Sequence, residues 1–376
     1  MILLGDVRET LKTVADGSVQ CVVTSPPYWG LRDYGTASWD GGDESCDHLG
    51  KPMATKANIN RNCGTGNDVK NAEAREFFKD VCGKCGARRV DSQIGLEQTP
   101  DEYVAEMVAV FREIRRVLAD DGVLWLNLGD SYAGSGKGAY ADGQVRLTEK
   151  SAKQITSTGT TQGSFTKAIV DGLKPKDLVG VPWRVAFALQ ADGWWLRQDI
   201  IWHKPNPMPE SVTDRCTKAH EYMFMLTKSA KYYYDNKAIK EPVAESSLKR
   251  AEYGWDCDRP STKNASMGGE GIHVEKMGTR FVNPDGRNKR SVWTVPTRPF
   301  KGAHFATFPP QLIEPCILAT SREGDTVLDP FFGAGTTGLV AQRHNRRWIG
   351  CELNPDYAKL AEERINKETN LFTEAT

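Results

Sequence analysis

The sequence predicts an α/β protein whose mostly parallel sheet of seven strands carries helices on both faces. Three observations predict it. Short β-branched apolar runs alternate with stretches of helical apolar spacing. Two of those runs stop in chemically unusual turns, Ser25-Pro26-Pro27-Tyr28 and Asp329–Thr336. Strands that alternate with helices pair in parallel and are covered on both sides.

The elements follow in order. Met1–Leu4 is a short strand closed by Gly5-Asp6, and Arg8–Ala15 can form a short helix. Gln20–Thr24 (QCVVT) reads as a buried strand running straight into Ser25. Residues 36–98 are polar, rich in Gly and Asn, and read as an insertion. Thr99 is an N-cap, Pro100 stands at the first helical position, and Asp101 and Glu102 are acids in the first turn. Val104, Met107, Val108, Phe111, Ile114, Val117 and Leu118 then recur at helical spacing. Asp121-Gly122 is a turn, and Val123–Leu128 is a second buried strand. Residues 132–175 read as a long loop, Asp177–Ala191 as a helix, and Trp194–Trp202, His220–Thr227 and Lys231–Asp235 as strands. Residues 236–295 are irregular and basic. Leu312–Thr320 is helical, Thr326–Asp329 a strand, Thr337–His344 a helix, Arg347–Cys351 a strand ending at Glu352, and Pro355–Lys367 a last helix.

The chain has 376 residues, 39% hydrophobic and 26% charged, which suits one large domain with insertions. No apolar run approaches the ~20 residues of a membrane span. The start, MILLGDVRET, has no basic region ahead of its apolar residues, so a cytoplasmic setting is expected, in a prokaryotic cell or phage-encoded in its host. Formal net charge is zero, which excludes a global basic field. Between Arg197 and Lys301, however, 19 Lys+Arg face 13 Asp+Glu, a local excess that fits a polyanion-binding face.

The C-terminal turn, Asp329-Pro330-Phe331-Phe332-Gly333-Ala334-Gly335-Thr336, sits between strand and helix. Glycines there let backbone approach a ligand, and the helix start offers free N–H groups. About twenty residues on, Glu352 ends the next strand, where an acid binds ribose hydroxyls. No Gly-Lys-Ser/Thr follows, so a phosphate loop is disfavoured. Asp329 suits a ligand carrying an ammonium group, such as the methionine part of S-adenosylmethionine.

At the other turn, two prolines fix the backbone and remove two donors. Ser25 Oγ and the Pro26 carbonyl can accept hydrogen bonds from one amino group, with Pro27 stiffening the turn and Tyr28 offering a face for a base. Two acceptors on an exocyclic amine push its nitrogen toward tetrahedral geometry and free its lone pair for a methyl sulfonium. Such a base must leave the helix, costing a few kcal/mol.

Together, Thr24-Ser25-Pro26-Pro27-Tyr28 and Asp329–Thr336 resemble the amino-methyltransferase family of DNA-modification enzymes. The catalytic motif precedes the cofactor motif by about 300 residues, an order similar to the circularly permuted β group of that family. Leu126–Asp130, Trp202–Asn206, Glu221–Asp235 and His304–Pro309 are further similar segments. The resemblance implies a Rossmann-like methyltransferase sheet, S-adenosylmethionine as cofactor and double-stranded DNA as partner, with a homodimer left open. It implies catalytic roles for Ser25, Pro26, Pro27 and Tyr28. Cofactor contacts fall to Asp6, His304, Phe305, Pro309, Asp329, Pro330, Phe331, Gly333, Gly335, Thr336 and Glu352. Ser at position 25 resembles the cytosine-N4 enzymes and Asp there the adenine-N6 enzymes, so cytosine N4 is expected and adenine N6 is the alternative. Cytosine-C5 chemistry needs an attacking thiolate, and Cys316 reads as core. An RNA methyltransferase and an inactive zinc-dependent DNA-binding module are the remaining rivals.

Inside the insertion, Cys46, His48, Cys82 and Cys85 supply four soft ligands for a structural Zn²⁺, with Cys63 a competitor. The expected organisation is 1–35 and 99–235 as the catalytic half, 36–98 as the zinc insertion, 236–295 as the target-recognition region and 296–376 as the cofactor half. Lys249, Arg250, Arg259, Arg280, Arg287, Lys289 and Arg290 are candidate DNA contacts, as are Arg146, Lys150 and Lys167.

Overall fold

The computed structural model describes residues 1–30, 36–43, 45–48, 81–133, 172–246, 286–298 and 307–373. The expected contacts Lys249, Arg250, Arg259, Arg280, Arg146, Lys150 and Lys167, and also Cys63, His304 and Phe305, lie outside them.

Ten strands and six α-helices are described. The strands are β1 (Ile2–Leu4), β2 (Val19–Thr24), β3 (Ser38–Asp40), β4 (Arg88–Val90), β5 (Leu118–Leu128), β6 (Trp195–His203), β7 (His220–Thr227), β8 (Val292–Thr294), β9 (Thr326–Asp329) and β10 (Arg347–Glu352). The helices are α1 (Val7–Thr10), α2 (Pro100–Val117), α3 (Val181–Ala191), α4 (Pro310–Thr320), α5 (Thr336–Arg343) and α6 (Pro355–Thr373). Eight strands form one sheet in the order β1-β10-β9-β2-β5-β7-β6-β8. From β1 to β5 all pairs are parallel, and β7 runs against both β5 and β6. β3 and β4 form a separate antiparallel hairpin.

The sheet has one strand more than expected. β8 lies in the stretch read as irregular and pairs in parallel with β6. Lys231–Asp235 is not a strand: its tyrosines take cations instead, Arg197 lying 5.6 Å over the Tyr232 ring and Arg322 3.8 Å over Tyr233. The expected turn at Asp121-Gly122 becomes an irregularity within β5, where the register jumps from Val19–Leu118 to Cys21–Val123.

Alternation along β5 shows why both faces are covered. Leu124, Leu126 and Leu128 pack into one core with Tyr103, Met107, Phe111 and Ile114 of α2 and Val185 and Leu189 of α3. Val123 and Trp125 point the other way, to Leu312, Ile313 and Ile317 of α4 and Val340 of α5. α2 begins as its sequence requires: Thr99 Oγ1 accepts from the Glu102 N–H at 3.1 Å, and the Glu102 carboxylate accepts from the Thr99 N–H at 3.2 Å. Among the described residues no helix is long and apolar enough to cross a membrane.

β2 and β9 are neighbours, Cys21 opposite Val327 and Val22 opposite Leu328. That pairing places the two unusual turns side by side at the carboxyl end of the sheet.

Candidate active site

A cleft of about 850 Å³, counted to its open mouth, lies off the carboxyl ends of β1, β2, β9 and β10. This is where open α/β sheets bind ligands. Both turns reach it: Ser25 and Pro27 from one, Pro330, Phe331, Gly333 and Ala334 from the other. Asp6 and Glu352 bring carboxylates, and Ser92, Gln93 and Ile94 form the far wall. Glu352 accepts from the Gly333 N–H at 2.7 Å and the Asn354 N–H at 2.9 Å, one bond per oxygen, leaving lone pairs for a ligand. Asp6 is paired with Arg8 at 2.5 Å.

The two glycines have different tasks. Gly333, at φ +51°, has open space where a β-carbon would stand, so a ligand can come against its backbone. Gly335, at φ +72°, does not line the cleft; a β-carbon there would lie 2.9 Å from Ala361 Cβ, so it lets the loop close onto α6. Thr336 is likewise inside, its hydroxyl accepting from Arg364 at 3.0 Å. Pro309 caps α4, and the nearby residue that lines the cleft is Thr307.

Asp329 differs from its expected place. It is 1% exposed and absent from the cleft wall. Its carboxylate accepts from Thr24 Oγ1 at 2.7 Å, the Phe331 N–H at 3.1 Å and Thr337 Oγ1 at 2.7 Å. Buried behind the cleft wall and held by three donors, the carboxylate does not face an ammonium group in the cleft. Asp329 instead bolts the end of β2 to the glycine loop. Burial pushes its carboxyl up to about 7 despite those three donors.

At the catalytic turn a directed chain of hydrogen bonds appears. Ser25 Oγ donates toward the Tyr28 hydroxyl at 3.4 Å, and that hydroxyl donates to Glu221 at 2.8 Å, with Asn127 Oδ1 also in reach at 3.1 Å. Lys204 holds the other oxygen of Glu221. Burial first, and then the Glu221 charge, raise the Tyr28 pKa well above its usual value, so the phenol keeps its proton. With the Ser25 hydrogen directed at Tyr28, its lone pairs remain for an incoming amine. The Pro26 carbonyl accepts no hydrogen bond from a described residue. The Pro27 carbonyl is taken by Tyr103 Oη at 2.9 Å.

Asn127, Glu221, Lys204, Thr24 and Thr337 were not among the site residues read from sequence. A polar side chain inside the apolar run VLWLNL and an acid heading HEYMFML were the available signals.

A model of the DNA methylase family, which covers N6 and N4 enzymes, matches residues 19–363. The chain belongs to that family. It is 40% identical to the type II methyltransferase M.Cfr9I of Citrobacter freundii over 98% of this chain and 88% of the relative. It is also 40% identical to M.SmaI of Serratia marcescens over 97% of this chain and 90% of the relative. Two solved structures share the fold. The PvuII DNA methyltransferase, described as cytosine-N4-specific, is 17% identical with a TM-score of 0.51 over 98% of this chain and 91% of that one. A Thermus thermophilus protein assigned as a DNA modification methylase, solved with S-adenosyl-L-methionine, is 20% identical with a TM-score of 0.50 over 98% and 93%.

This DNA methylase is therefore an enzyme of DNA modification. The cleft fits S-adenosylmethionine: it pairs carboxylates with an open glycine backbone and carries a buried hydroxyl, Thr36 Oγ1, that lacks a partner. Cys316 lies fully buried in α4, and burial raises its thiol well above the usual range, which removes it as a nucleophile.

Gly129 gives a first test of the methylase site. A β-carbon there would lie 2.6 Å from the Tyr28 ring. Gly129→Ala is expected to push the ring aside, break the Ser25–Tyr28–Glu221 chain and slow methylation about tenfold or more, the worth of one to two hydrogen bonds. Methylation rate, with thermal melting to confirm folding, checks it; an unchanged rate removes the chain from the mechanism.

Proposed function

We propose that this methylase transfers a methyl group to the exocyclic N4 of a cytosine flipped out of double-stranded DNA, at a specific site. The observation that carries the base assignment is Ser25, an uncharged acceptor where a carboxylate would resemble the adenine enzymes, standing at the lip of the cofactor cleft.

S-adenosylmethionine supplies a methyl group made electrophilic by its positive sulfur. Glu352 would hold the ribose hydroxyls through the lone pairs its two backbone bonds leave free. Asp6 would hold the adenine end, with Phe331 and Ile94 as apolar walls and Pro330 fixing the turn. Gly333 lets the ligand approach the backbone. His304, Phe305 and Pro309 shape the methionine side, a role that rests on the family resemblance alone.

On the base side, Ser25 Oγ and the Pro26 carbonyl accept the two amine hydrogens. The amine lone pair, delocalised into the ring in free cytosine, is thereby withdrawn from the ring and made available for methylation. Tyr28, packed on Gly129 and hydrogen-bonded to Glu221, holds Ser25 in the accepting orientation. Two static acceptors, set before the base arrives, stabilise charge only where it develops. The bases flanking the target are read by the region around 236–295. Of its described cations, Arg287 and Arg290 both pair with Glu241, at 3.2 and 3.0 Å, and Arg290 remains 69% exposed for phosphate.

Nucleoside mass spectrometry of DNA from cells expressing the protein tests the assignment. N4-methylcytosine is expected. N6-methyladenine would move the target to adenine while keeping the same amine-gripping geometry, and 5-methylcytosine would overturn that geometry altogether.

A further inference from the structure

We propose that Cys46, His48, Cys82 and Cys85 hold one structural zinc ion, and that this ion fixes one wall of the cofactor cleft. The second half of the proposal rests on the cleft being the S-adenosylmethionine site.

The four ligand atoms all lie within 4.8 Å of one another. Cys46 Sγ and Cys82 Sγ are 3.8 Å apart, and Cys85 Sγ and His48 Nδ1 are 3.6 Å apart. With Zn–S near 2.3 Å and Zn–N near 2.05 Å, the edges of a tetrahedron come to about 3.8 Å for S–S and about 3.6 Å for S–N. Both measured separations match. A disulfide needs sulfurs about 2.05 Å apart, so Cys46 and Cys82 are not cross-linked, and Cys85 is free as well.

The local chain is built around these atoms. Gly86, at φ +76°, turns the segment Cys82–Ala87, whose ends are closed by Gly86 N–H to the Cys82 carbonyl at 2.9 Å and Cys82 N–H to the Ala87 carbonyl at 2.8 Å. Gly42, at φ +75°, comes so near that a β-carbon would lie 2.8 Å from Cys85 Sγ. The His48 ring stacks on Trp39, centroids 4.4 Å apart, which fixes the plane in which Nδ1 meets Cys85. The hairpin that carries the cluster has little else to hold it: β3 and β4 are three residues each, with only the middle residue of each partly covered. Two short strands do not persist in water unaided, and a metal that closes them supplies the missing free energy. Four protein ligands leave no open position, so the ion takes no part in methyl transfer.

The hairpin then reaches the cleft through its own continuation. After β4 the chain passes Ser92, Gln93 and Ile94, the far wall. It is tied to the catalytic turn by Gly30 N–H to the Gly95 carbonyl at 2.7 Å and Trp29 Nε1 to the Glu97 carbonyl at 2.9 Å. Arg8 grips the Ser92 carbonyl at 3.2 Å. Loosening the hairpin therefore frees one end of a wall whose other end holds the Ser-Pro-Pro-Tyr turn.

The experiment starts with elemental analysis of full-length protein purified without chelator. About one zinc per chain is expected; Cys82→Ser and Cys85→Ser should lose it, and Cys216→Ser, at an exposed and unrelated cysteine, should keep it. Because the first two variants can fail to fold, chelator-stripped wild-type protein is then titrated with Co²⁺ alone. The visible bands of a tetrahedral cobalt–thiolate centre are expected, and zinc should displace them. Absence of zinc together with absence of those bands overturns the site. Calorimetry of S-adenosylmethionine on zinc-loaded and stripped protein tests the wall: about tenfold weaker binding after stripping is expected. Equal affinity overturns the coupling while leaving the metal site standing, and no binding by either form overturns the cofactor reading instead.

Discussion

Ser25→Ala is expected to slow methyl transfer about 100-fold while S-adenosylmethionine affinity changes less than about threefold. The hydroxyl oxygen contributes only when the amine hydrogens need an acceptor, in the transition state, and removing one such pre-set polar contact costs about 10²–10³ in rate. The residue touches the cleft edge but makes no bond to Glu352, Gly333 or Asp6, the residues proposed to hold the cofactor. Single-turnover methylation and calorimetry check the split. A rate that is unaltered removes Ser25 from the chemistry, whereas a parallel loss of affinity places it in cofactor binding.

Asp329→Ala is expected to destabilise the fold by about 2–5 kcal/mol and abolish measurable cofactor binding. The Thr24 hydroxyl and the Phe331 N–H lose a buried acceptor, at about 1–3 kcal/mol each. Thr337 has an escape, because the Val23 carbonyl lies 3.3 Å from its hydroxyl. That escape also explains how the site accepts a proton: protonated Asp329 donates to Thr337, whose hydrogen turns to Val23. Burial raises this carboxyl from 3.8 to about 7, so the folded state binds the proton more tightly than the unfolded chain. Its contribution to stability is therefore full below about pH 3.8 and is lost as pH rises toward 7. Asp329→Asn mimics the protonated form, keeping an acceptor for Thr24 and Phe331 and a donor for Thr337. Melting curves from about pH 5 to pH 8 should show the wild type losing ground to Asn as pH rises. Parallel curves would show that Asp329 does not titrate in this range.

The sheet was largely legible because its strands are short apolar runs ending in polar turns, and burial on both faces makes such runs conspicuous. The three-residue strand β8 was not: Val292–Thr294 becomes a strand only because Ile201–His203 stands beside it. Lys231–Asp235 misled because aromatic residues favour strands in general, yet these rings sit against Arg197 and Arg322. In the site, residue types were readable and directions were not. Asp329 could be picked out as an acid at a strand end, but which way it faces is decided by Thr24, 305 positions away. The Tyr28–Glu221 bond spans 193 positions and has no local signature. The Cys46, His48, Cys82 and Cys85 grouping was readable because metal-ligand spacing is itself local within each pair.

The adjacency of β2 and β9 has a consequence for biosynthesis. During translation β2 emerges some 300 residues before the strand that covers one of its edges. Until then the half-made chain shows a six-residue segment, fully buried in the finished protein, with backbone donors and acceptors unpaired on that side. The nascent polypeptide thus carries an open strand edge for most of its synthesis, and the cleft is incomplete until the ribosome has passed the glycine loop.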